Sequence, residues 1–269
     1  MTQPSTADHS EQGARTALMA LRTEIGKVVV GQDAVVSGLV VALLCRGHVL
    51  LEGVPGVAKT LLVRTLAAAL QLEFKRVQFT PDLMPGDVTG SLVYDARTAE
   101  FTFRAGPVFT NLLLADEINR TPPKTQSALL EAMAERQVSI GGHSFALPDP
   151  FLVLATQNPI ETDGVYQLPE AQRDRFLLKV DLTHPNELEE LTILSRMGAS
   201  PPAAQQVLDL EQVRRLQTAT EEVFVHHAVA HYMVRLVMAT REPEAYGVPG
   251  LAPILEYGVS PRGSLGLLS

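Results

Sequence analysis

The chain has 269 residues, of which 46% are hydrophobic, and its formal net charge at neutral pH is −8. This length and apolar content suffice for a full α/β core and a second small domain. The acidic balance disfavours binding to nucleic acid or to an anionic membrane, although it is compatible with a local basic channel. No apolar run reaches the roughly 18 residues of a membrane span, and we expect no signal peptide.

The single cysteine, Cys45, lies in an apolar run and cannot form a disulfide within the chain. This usage fits a reducing compartment, and we expect a cytoplasmic location. Residues 1–12 are mostly polar, so we expect a flexible N-terminal tail. The spacing of apolar residues then predicts helices over residues 11–25 and 33–45.

Residues 48–70 have the pattern of a short apolar strand, a tight loop and a helix. The loop reads G-x-x-x-x-A-K-T, a phosphate-binding pattern in which Ala58 replaces a glycine. Backbone N–H groups of such a loop point at phosphates, helped by the positive end of the following helix. We expect Lys59 to reach the β- and γ-phosphates and the Thr60 hydroxyl to ligate Mg²⁺. Because Ala tolerates helical angles, we expect Ala58 to adopt them.

Alternating apolar and polar residues predict four further core strands and two hairpins. The predicted core strands are residues 74–79, 111–117, 151–156 and 176–180. The predicted hairpins span residues 91–106 and 136–150, and the first, an insertion between core strands, is a candidate partner-contact element. Helices are predicted at residues 122–135 and 185–197.

A composition break at residues 198–206 is the predicted linker between an α/β core, residues 13–197, and a helical domain, residues 207–269. Helical patterning follows at residues 208–222 and 226–241, with no strand pattern. The last helix has Ser260 as its predicted N-cap and Pro261 in its first turn. Because so short a helix does not complete a packed domain, we expect a fragment or a shortened lid.

Asp116 and Glu117 close an apolar strand, where a parallel sheet would place them beside the phosphate loop. Asp116 would hold Mg²⁺, and Glu117 would act as general base on the attacking water. The alternative is a solvated pair in a strand-to-helix turn, and the phosphate loop favours the catalytic interpretation. Asn158 ends the next strand and could bind the γ-phosphate or the water.

Arg173 and Arg175 flank Asp174 just before the fifth predicted strand. One of them is a candidate arginine finger for a phosphate held by a neighbouring subunit, and a surface ion pair with Asp174 is the alternative. Arg262 lies at a helix N-terminus, where the helix dipole disfavours a cation. A nearby anion would account for that position, and the γ-phosphate is the natural candidate.

The segments GVPGVAKT, NLLLADEINRTPPKTQSALLEAMAERQV, ATQNP, LPEAQRDRF and GVSPRG together resemble the MoxR group of AAA+ ATPases, from about Gly26 to Ser269. The resemblance implies an α/β core with strand order 5-1-4-3-2, a helical lid and a homo-oligomeric ring, usually a hexamer. It implies ATP and Mg²⁺ as ligands. It further implies a chaperone-like ATPase that matures client complexes or inserts cofactors, often with a partner carrying a von Willebrand factor A domain.

The resemblance also assigns roles to particular residues. It makes Asp116 and Glu117 the Walker B acids, Asn158 sensor 1, Arg262 sensor 2, and Arg175 the preferred arginine finger. The residues assigned to the phosphate loop are Gly53, Val54, Pro55, Gly56, Val57, Ala58, Lys59, Thr60 and Leu61, and those assigned to the adenine pocket are Val29, Val30 and Gly31. The two hairpins match the helix-2 insert and the pre-sensor-1 hairpin, which line the pore of the ring.

Other interpretations stay open at this point. A nucleic-acid motor would share the second hairpin, but no Lys or Arg lies between Val138 and Leu147 to meet phosphates. A nucleotide-gated scaffold would bind ATP to order a ring without being an enzyme. His226, His227 and His231 could bind zinc, yet no acid follows them in the metalloprotease arrangement, so a solvated helix face is preferred.

Overall fold

The structure is a computed structural model that describes residues 6–54, 56–158, 164–196, 198 and 202–269, with side chains from residue 12 onward. Pro55, assigned above to the phosphate loop, lies outside the described residues, as does the start of the predicted tail. Of the predicted linker, the structure describes residue 198 and residues 202–206.

Strands and helices are mixed along the first two thirds of the chain, and the described residues after residue 182 form helices and no further strand. The strands are β1 (Val49–Gly53), β2 (Phe74–Gln78), β3 (Gly90–Asp95), β4 (Glu100–Ala105), β5 (Leu112–Asp116), β6 (Gln137–Ile140), β7 (His143–Ala146), β8 (Leu152–Gln157) and β9 (Leu178–Leu182). The helices are α1 (Thr6–Val28), α2 (Asp33–Leu44), α3 (Lys59–Ala69), α4 (Pro85–Thr89), α5 (Pro123–Glu135), α6 (Glu170–Arg173), α7 (Glu187–Arg196), α8 (Leu210–Glu221), α9 (His227–Arg241) and α10 (Pro261–Leu268).

Five of the strands form one parallel sheet in the order β2-β5-β8-β1-β9. Counted along the chain, these are core strands 2, 3, 4, 1 and 5, so the predicted order 5-1-4-3-2 is confirmed. All five strands of this sheet run in the same direction, and their carboxyl ends therefore meet at one edge of the sheet. Strand β2 is an outer strand, next to β5.

Each face of the sheet is covered by a separate apolar layer. One cluster joins Leu112 and Leu114 of β5 to α1, α2 and α3. The other joins Leu113 and Ala115 of the same strand to α5 and the hairpin residue Val138. Because successive side chains of a strand point to opposite faces, the continuous apolar run of β5 serves both layers.

The two predicted hairpins are confirmed as antiparallel pairs, β3 with β4 and β6 with β7. They contact each other through Phe103 and Phe145, whose rings stack with centroids 3.9 Å apart. Gly141 has a φ of 61°, and a Cβ there would lie 2.4 Å from the Leu92 side chain. The two hairpins therefore pack as one unit beside the sheet.

The N-terminal segment differs from the prediction. Helix α1 begins at Thr6, so residues 6–12 of the predicted flexible tail are helical. The first turns of a surface helix can be polar on all sides, and apolar periodicity then gives no indication of them.

The predicted linker at residues 198–206 does not separate the following helix from the core. Leu208 and Val213 are buried in the same apolar cluster as α1, α2 and α3. The Gln217 side chain donates a hydrogen bond to the Leu43 carbonyl oxygen at 2.6 Å. Helix α8 therefore completes one layer of the α/β core, although the composition of the chain changes before it. Of the described helices, none combines the length and apolarity that crossing a membrane requires.

Candidate functional site

The loop between β1 and α3 is shaped by residues with left-handed backbone angles. Gly56 has a φ of 88°, and Ala58 has a φ of 56° with a ψ of 29°. The expectation that Ala58 is helical is wrong, because it precedes the helix as its N-cap and adopts the conformation that glycine usually supplies. At Gly53 a Cβ would lie 2.8 Å from the Leu182 carbonyl oxygen. The loop therefore begins where the backbones of β1 and β9 are too close for a larger residue.

The N-terminus of α3 is ready to receive an anion. Its N-cap, Ala58, has no side chain that can accept from the first-turn N–H groups, so these groups are open to an anion. The Lys59 ammonium group donates to the Gly53 carbonyl oxygen at 2.5 Å. Burial lowers the pKa of Lys59, while the charges of Asp116 and Glu117 oppose that shift.

Asp116 and Glu117 lie where β5 ends and are fixed by the neighbouring strand β8. The Thr156 hydroxyl donates to Oδ1 of Asp116 at 2.7 Å and accepts the Glu117 N–H at 2.8 Å. Glu117 has a φ of 57°, a left-handed conformation that is rare for a non-glycine residue. One hydroxyl thus holds both acids in register with β8.

Further polar side chains contact the two acids from β2 and from the turn after β5. Arg76 donates to Oδ2 of Asp116 from Nε at 3.1 Å and from Nη2 at 2.5 Å. Oε2 of Glu117 accepts from the Gln78 amide at 2.7 Å and from Arg120 at 3.2 Å. The carboxylates therefore have defined orientations before any ligand binds.

These residues surround one cavity of about 360 Å³ at the carboxyl edge of the sheet. Its lining residues are Gly56, Ala58, Lys59, Thr60, Leu61, Arg76, Gln78, Asp116, Glu117 and Asn158. The cavity combines a helix N-terminus and an ammonium group, which suit phosphates, with a hydroxyl and a carboxylate, which are oxygen ligands suited to Mg²⁺. The residues present therefore fit a magnesium–nucleotide complex.

An apolar pocket continues from this cavity, since Gly56, Ala58 and Leu61 line both. Its lining residues are Val28, Val29, Val30, Gln32, Gly56, Val57, Ala58, Leu61, Leu62, Leu182, Pro185 and Ile193. Gly31 has a φ of 73° and is a turn beside the pocket, where a Cβ would lie 2.4 Å from the Glu189 carboxyl carbon. Val54 is partly buried against the core.

Arg175 and Arg262 lie at the other end of the sheet. They line a second cavity with His48 and Leu177, which lie where β1 and β9 begin. A five-residue strand such as β1 is about 16 Å long, so this cavity is well separated from the phosphate loop. The structure thus places Arg262 away from the phosphate loop of its own chain.

Asp174 is the anion that accounts for the position of Arg262. The Arg262 guanidinium lies 3.4 Å from Oδ2 of Asp174, and the Ser260 hydroxyl donates to Oδ1 at 2.6 Å. Ser260 also caps α10 by accepting the Arg262 N–H, so the predicted start of this helix is confirmed. Arg175 donates to the Leu130 carbonyl oxygen at 2.7 Å.

The sequence analysis did not predict four residues that contact the two acids: Arg76, Gln78, Thr156 and Arg120. Gln78 ends β2, and Thr156 is the residue before the end of β8. Once a parallel sheet is assumed, polar residues at these strand ends are candidates for the same edge as Asp116. That signal was available for Gln78 and Thr156, whereas Arg76 reaches the edge only through the length of its side chain.

The sequence and the fold of the chain are similar to those of known proteins. Residues 48–178 match the sequence model of the ATPase family associated with various cellular activities (AAA). The protein MoxR of Methylorubrum extorquens is 33% identical over 269 residues, which cover 93% of this chain and 77% of that protein. The chain belongs to the MoxR family. Its expected family membership and α/β fold are thereby confirmed.

Other relatives of this MoxR-family chain are more similar. Chaperone MoxR1 of Mycobacterium tuberculosis is 54% identical over 246 residues, which cover 91% of this chain but 65% of that protein. The chain thus spans about two thirds of that relative's length. A crystal structure from Cytophaga hutchinsonii, provisionally described as an ATPase, superposes with a TM-score of 0.89 at 43% identity, covering 97% of this chain and 80% of that one.

Proposed function

We propose that this MoxR-family chain binds ATP with Mg²⁺ and hydrolyses the γ-phosphate. The observation that supports the proposal is the convergence of the α3 N-terminus with Asp116, Glu117 and Asn158 around one cavity. The loop comes from β1 and the polar groups from β5 and β8, so the parallel sheet brings together groups that are far apart in sequence.

Each group has a role that follows from its chemistry. Lys59 and the loop N–H groups bind the β- and γ-phosphates, and Thr60 with Asp116 would hold Mg²⁺, which would neutralise phosphate charge when bound. Glu117 takes a proton from the attacking water, and Asn158 positions that water or the γ-phosphate. The apolar pocket, which includes Val29 and Val30, receives the adenine base.

Substitutions at Lys59 and Glu117 test this proposal. Glu117→Gln keeps the shape of the side chain but removes the base, so it should bind ATP normally and hydrolyse it at least about 100-fold more slowly. Lys59→Ala should lose ATP binding. Fluorescence titration with a labelled ATP and a phosphate-release assay measure the two properties.

The matched control for this experiment is Glu131→Gln, which removes an exposed carboxylate of α5. It should leave both ATP binding and hydrolysis as in the wild type. Normal hydrolysis by Glu117→Gln would contradict the assignment of the general base, and normal binding by Lys59→Ala would contradict the nucleotide site itself.

We propose further that Arg175 and Arg262 contact a nucleotide bound by a neighbouring copy in a ring, expected to be a hexamer. Their cavity is also lined by Arg136 and by Arg46, which pairs with Asp149 and Glu221, and Asp174 is its acidic side chain among the described residues. Such a cationic cavity suits phosphates that project from another subunit. Arg173 is instead exposed and pairs with Glu170 at 2.5 Å, which favours Arg175 as the finger.

The cellular role we propose is chaperone-like remodelling of client protein complexes in the cytoplasm, including cofactor or metal insertion, with a von Willebrand factor A domain partner. The name Chaperone MoxR1, given to a relative 54% identical, supports the chaperone part. Affinity capture with ATP-bound Glu117→Gln protein from its own cells tests it. Recovery of the same client and partner with Lys59→Ala protein would argue against ATP-dependent capture.

A further inference from the structure

Both carboxylate oxygens of Asp116 already have partners in the protein. Oδ1 accepts from the Thr156 hydroxyl at 2.7 Å, and Oδ2 accepts from two nitrogens of Arg76. A magnesium ion held by Asp116, directly or through water, needs access to one of these oxygens. The Arg76 guanidinium lies at Oδ2, the oxygen that is not bonded to Thr156 of β8. A magnesium ion and Arg76 would therefore compete for this oxygen.

The pairing of the strands directs Arg76 into the site. In the parallel register of β2 and β5, Arg76 lies opposite Leu114 and Gln78 lies opposite Asp116. Side chains two apart share a face of a sheet, so Arg76, Gln78 and Asp116 all point to the face that carries α3. The Arg76 side chain is 47% exposed and that of Asp116 is 14% exposed, so the ion pair opens into the cavity.

We propose that Arg76 is the resident counter-ion of Asp116 and that Mg²⁺ displaces it when the metal–nucleotide complex binds. The proposal rests on the proposed function. Two cations repel each other at one carboxylate, whereas the phosphates offer the guanidinium a new anionic partner in the same cavity. Arg76 would in this sense set how much Mg²⁺ the site needs.

The test is the Mg²⁺ dependence of nucleotide binding, measured with a fluorescent, non-hydrolysable ATP analogue. In Arg76→Gln protein Asp116 has no competing cation, so the half-saturating Mg²⁺ concentration should fall about fivefold. Arg76→Lys retains the charge with fewer contacts and should lie between that variant and the wild type. Arg64→Gln, which removes an exposed arginine of α3, should match the wild type.

An unchanged Mg²⁺ requirement in both Arg76 variants, with normal thermal unfolding, would overturn the inference while leaving the nucleotide site intact. Failure of the wild-type protein to bind the analogue at any Mg²⁺ concentration would instead overturn the proposed function.

Discussion

Ala58 and Glu117 adopt left-handed backbone angles although neither is glycine. Such a conformation costs an L-residue roughly 1–2 kcal/mol, and it persists only when the surrounding structure imposes it. Both residues line the cavity at the carboxyl edge of the sheet, Ala58 directly before α3 and Glu117 directly after β5. The strain therefore lies where loop N–H groups and a carboxylate must point into the same space.

His48 is another residue whose state is set by its surroundings. Its Nδ1 accepts the Val153 N–H at 3.0 Å, and its Nε2 donates to the Met133 carbonyl oxygen at 3.2 Å. Burial lowers the pKa of His48 from 6.5 to about 4. The neutral ring is thus part of the connection between β1, β8 and α5.

Stability should depend on pH through His48. The unfolded chain protonates this residue below pH 6.5, whereas the folded protein resists protonation until about pH 4. Its contribution is therefore complete above pH 6.5 and is lost as the pH falls towards 4, by about 3 kcal/mol in total. Urea unfolding at several pH values measures the effect.

In this experiment the wild type should lose stability more steeply than His48→Gln between pH 6.5 and 4. The control is His143→Gln, at an exposed hairpin position, which should keep the wild-type slope. Equal slopes in the wild type and His48→Gln would contradict the lowered pKa.

Helix α8 follows a break in composition, yet it packs with the α/β core that precedes the break. The break at residues 198–206 is rich in Pro and Ala, and the helix after it is amphipathic. An amphipathic face indicates that a helix is packed against something, but it does not identify the partner. The partner here is α2, so α8 belongs to the core by its contacts.

Truncation of Val213 tests the place of α8 in the core. Val213 is 1% exposed, so Val213→Ala should destabilise the protein by about 2 kcal/mol through lost burial and a small cavity. The matched control is Val223→Ala, just after α8, where the side chain is 66% exposed and the change should stay within about 0.5 kcal/mol. Equal small effects of both in urea unfolding would show that α8 is packed independently of the core.

The folded chain carries two separate parts of the proposed site for ATP hydrolysis. The phosphate loop and acids lie at the carboxyl edge of the sheet, and Arg175 with Arg262 line the cavity at the opposite end. A contact between two different surfaces of identical copies produces a ring when the rotation closes. Such a ring would bring the arginines of one copy to the nucleotide of the next.

Mixing two inactive variants tests this arrangement. Lys59→Ala protein lacks the nucleotide site but keeps Arg175 and Arg262. Arg262→Ala protein keeps the nucleotide site but lacks one of the two arginines. In an equal mixture, roughly a quarter of neighbouring pairs combine the intact parts of both, so ATP hydrolysis should recover to about that fraction of the wild-type rate.

The alternative arrangement gives a different result in the same assay. If Arg262 acted only within its own chain, the mixture would stay inactive at every ratio. Mixtures of Lys59→Ala with Glu117→Gln are the control, because both defects lie in the same proposed half of the site and no pair should be active.

The sequence predicted much of the candidate site because the relevant signals are local. Lys59 and Thr60 follow a glycine-bearing loop, and Asp116 with Glu117 closes an apolar strand, so the pattern of each segment indicates its place in a parallel sheet. The contacts of Arg76 with Asp116 were missed because they join residues 40 positions apart. No local pattern specifies such a pair.

Local sequence patterns were enough to predict the five core strands, both hairpins, the phosphate loop and the resemblance to the MoxR family. Periodicity and turn residues act over a few neighbouring positions, and these features need nothing more. Three features became visible in the folded chain alone: Ala58 is left-handed, α8 completes the core, and Arg262 lies beside Asp174, far from the phosphate loop of its own chain. Each of these depends on where distant segments pack, and packing is a property of the folded chain as a whole.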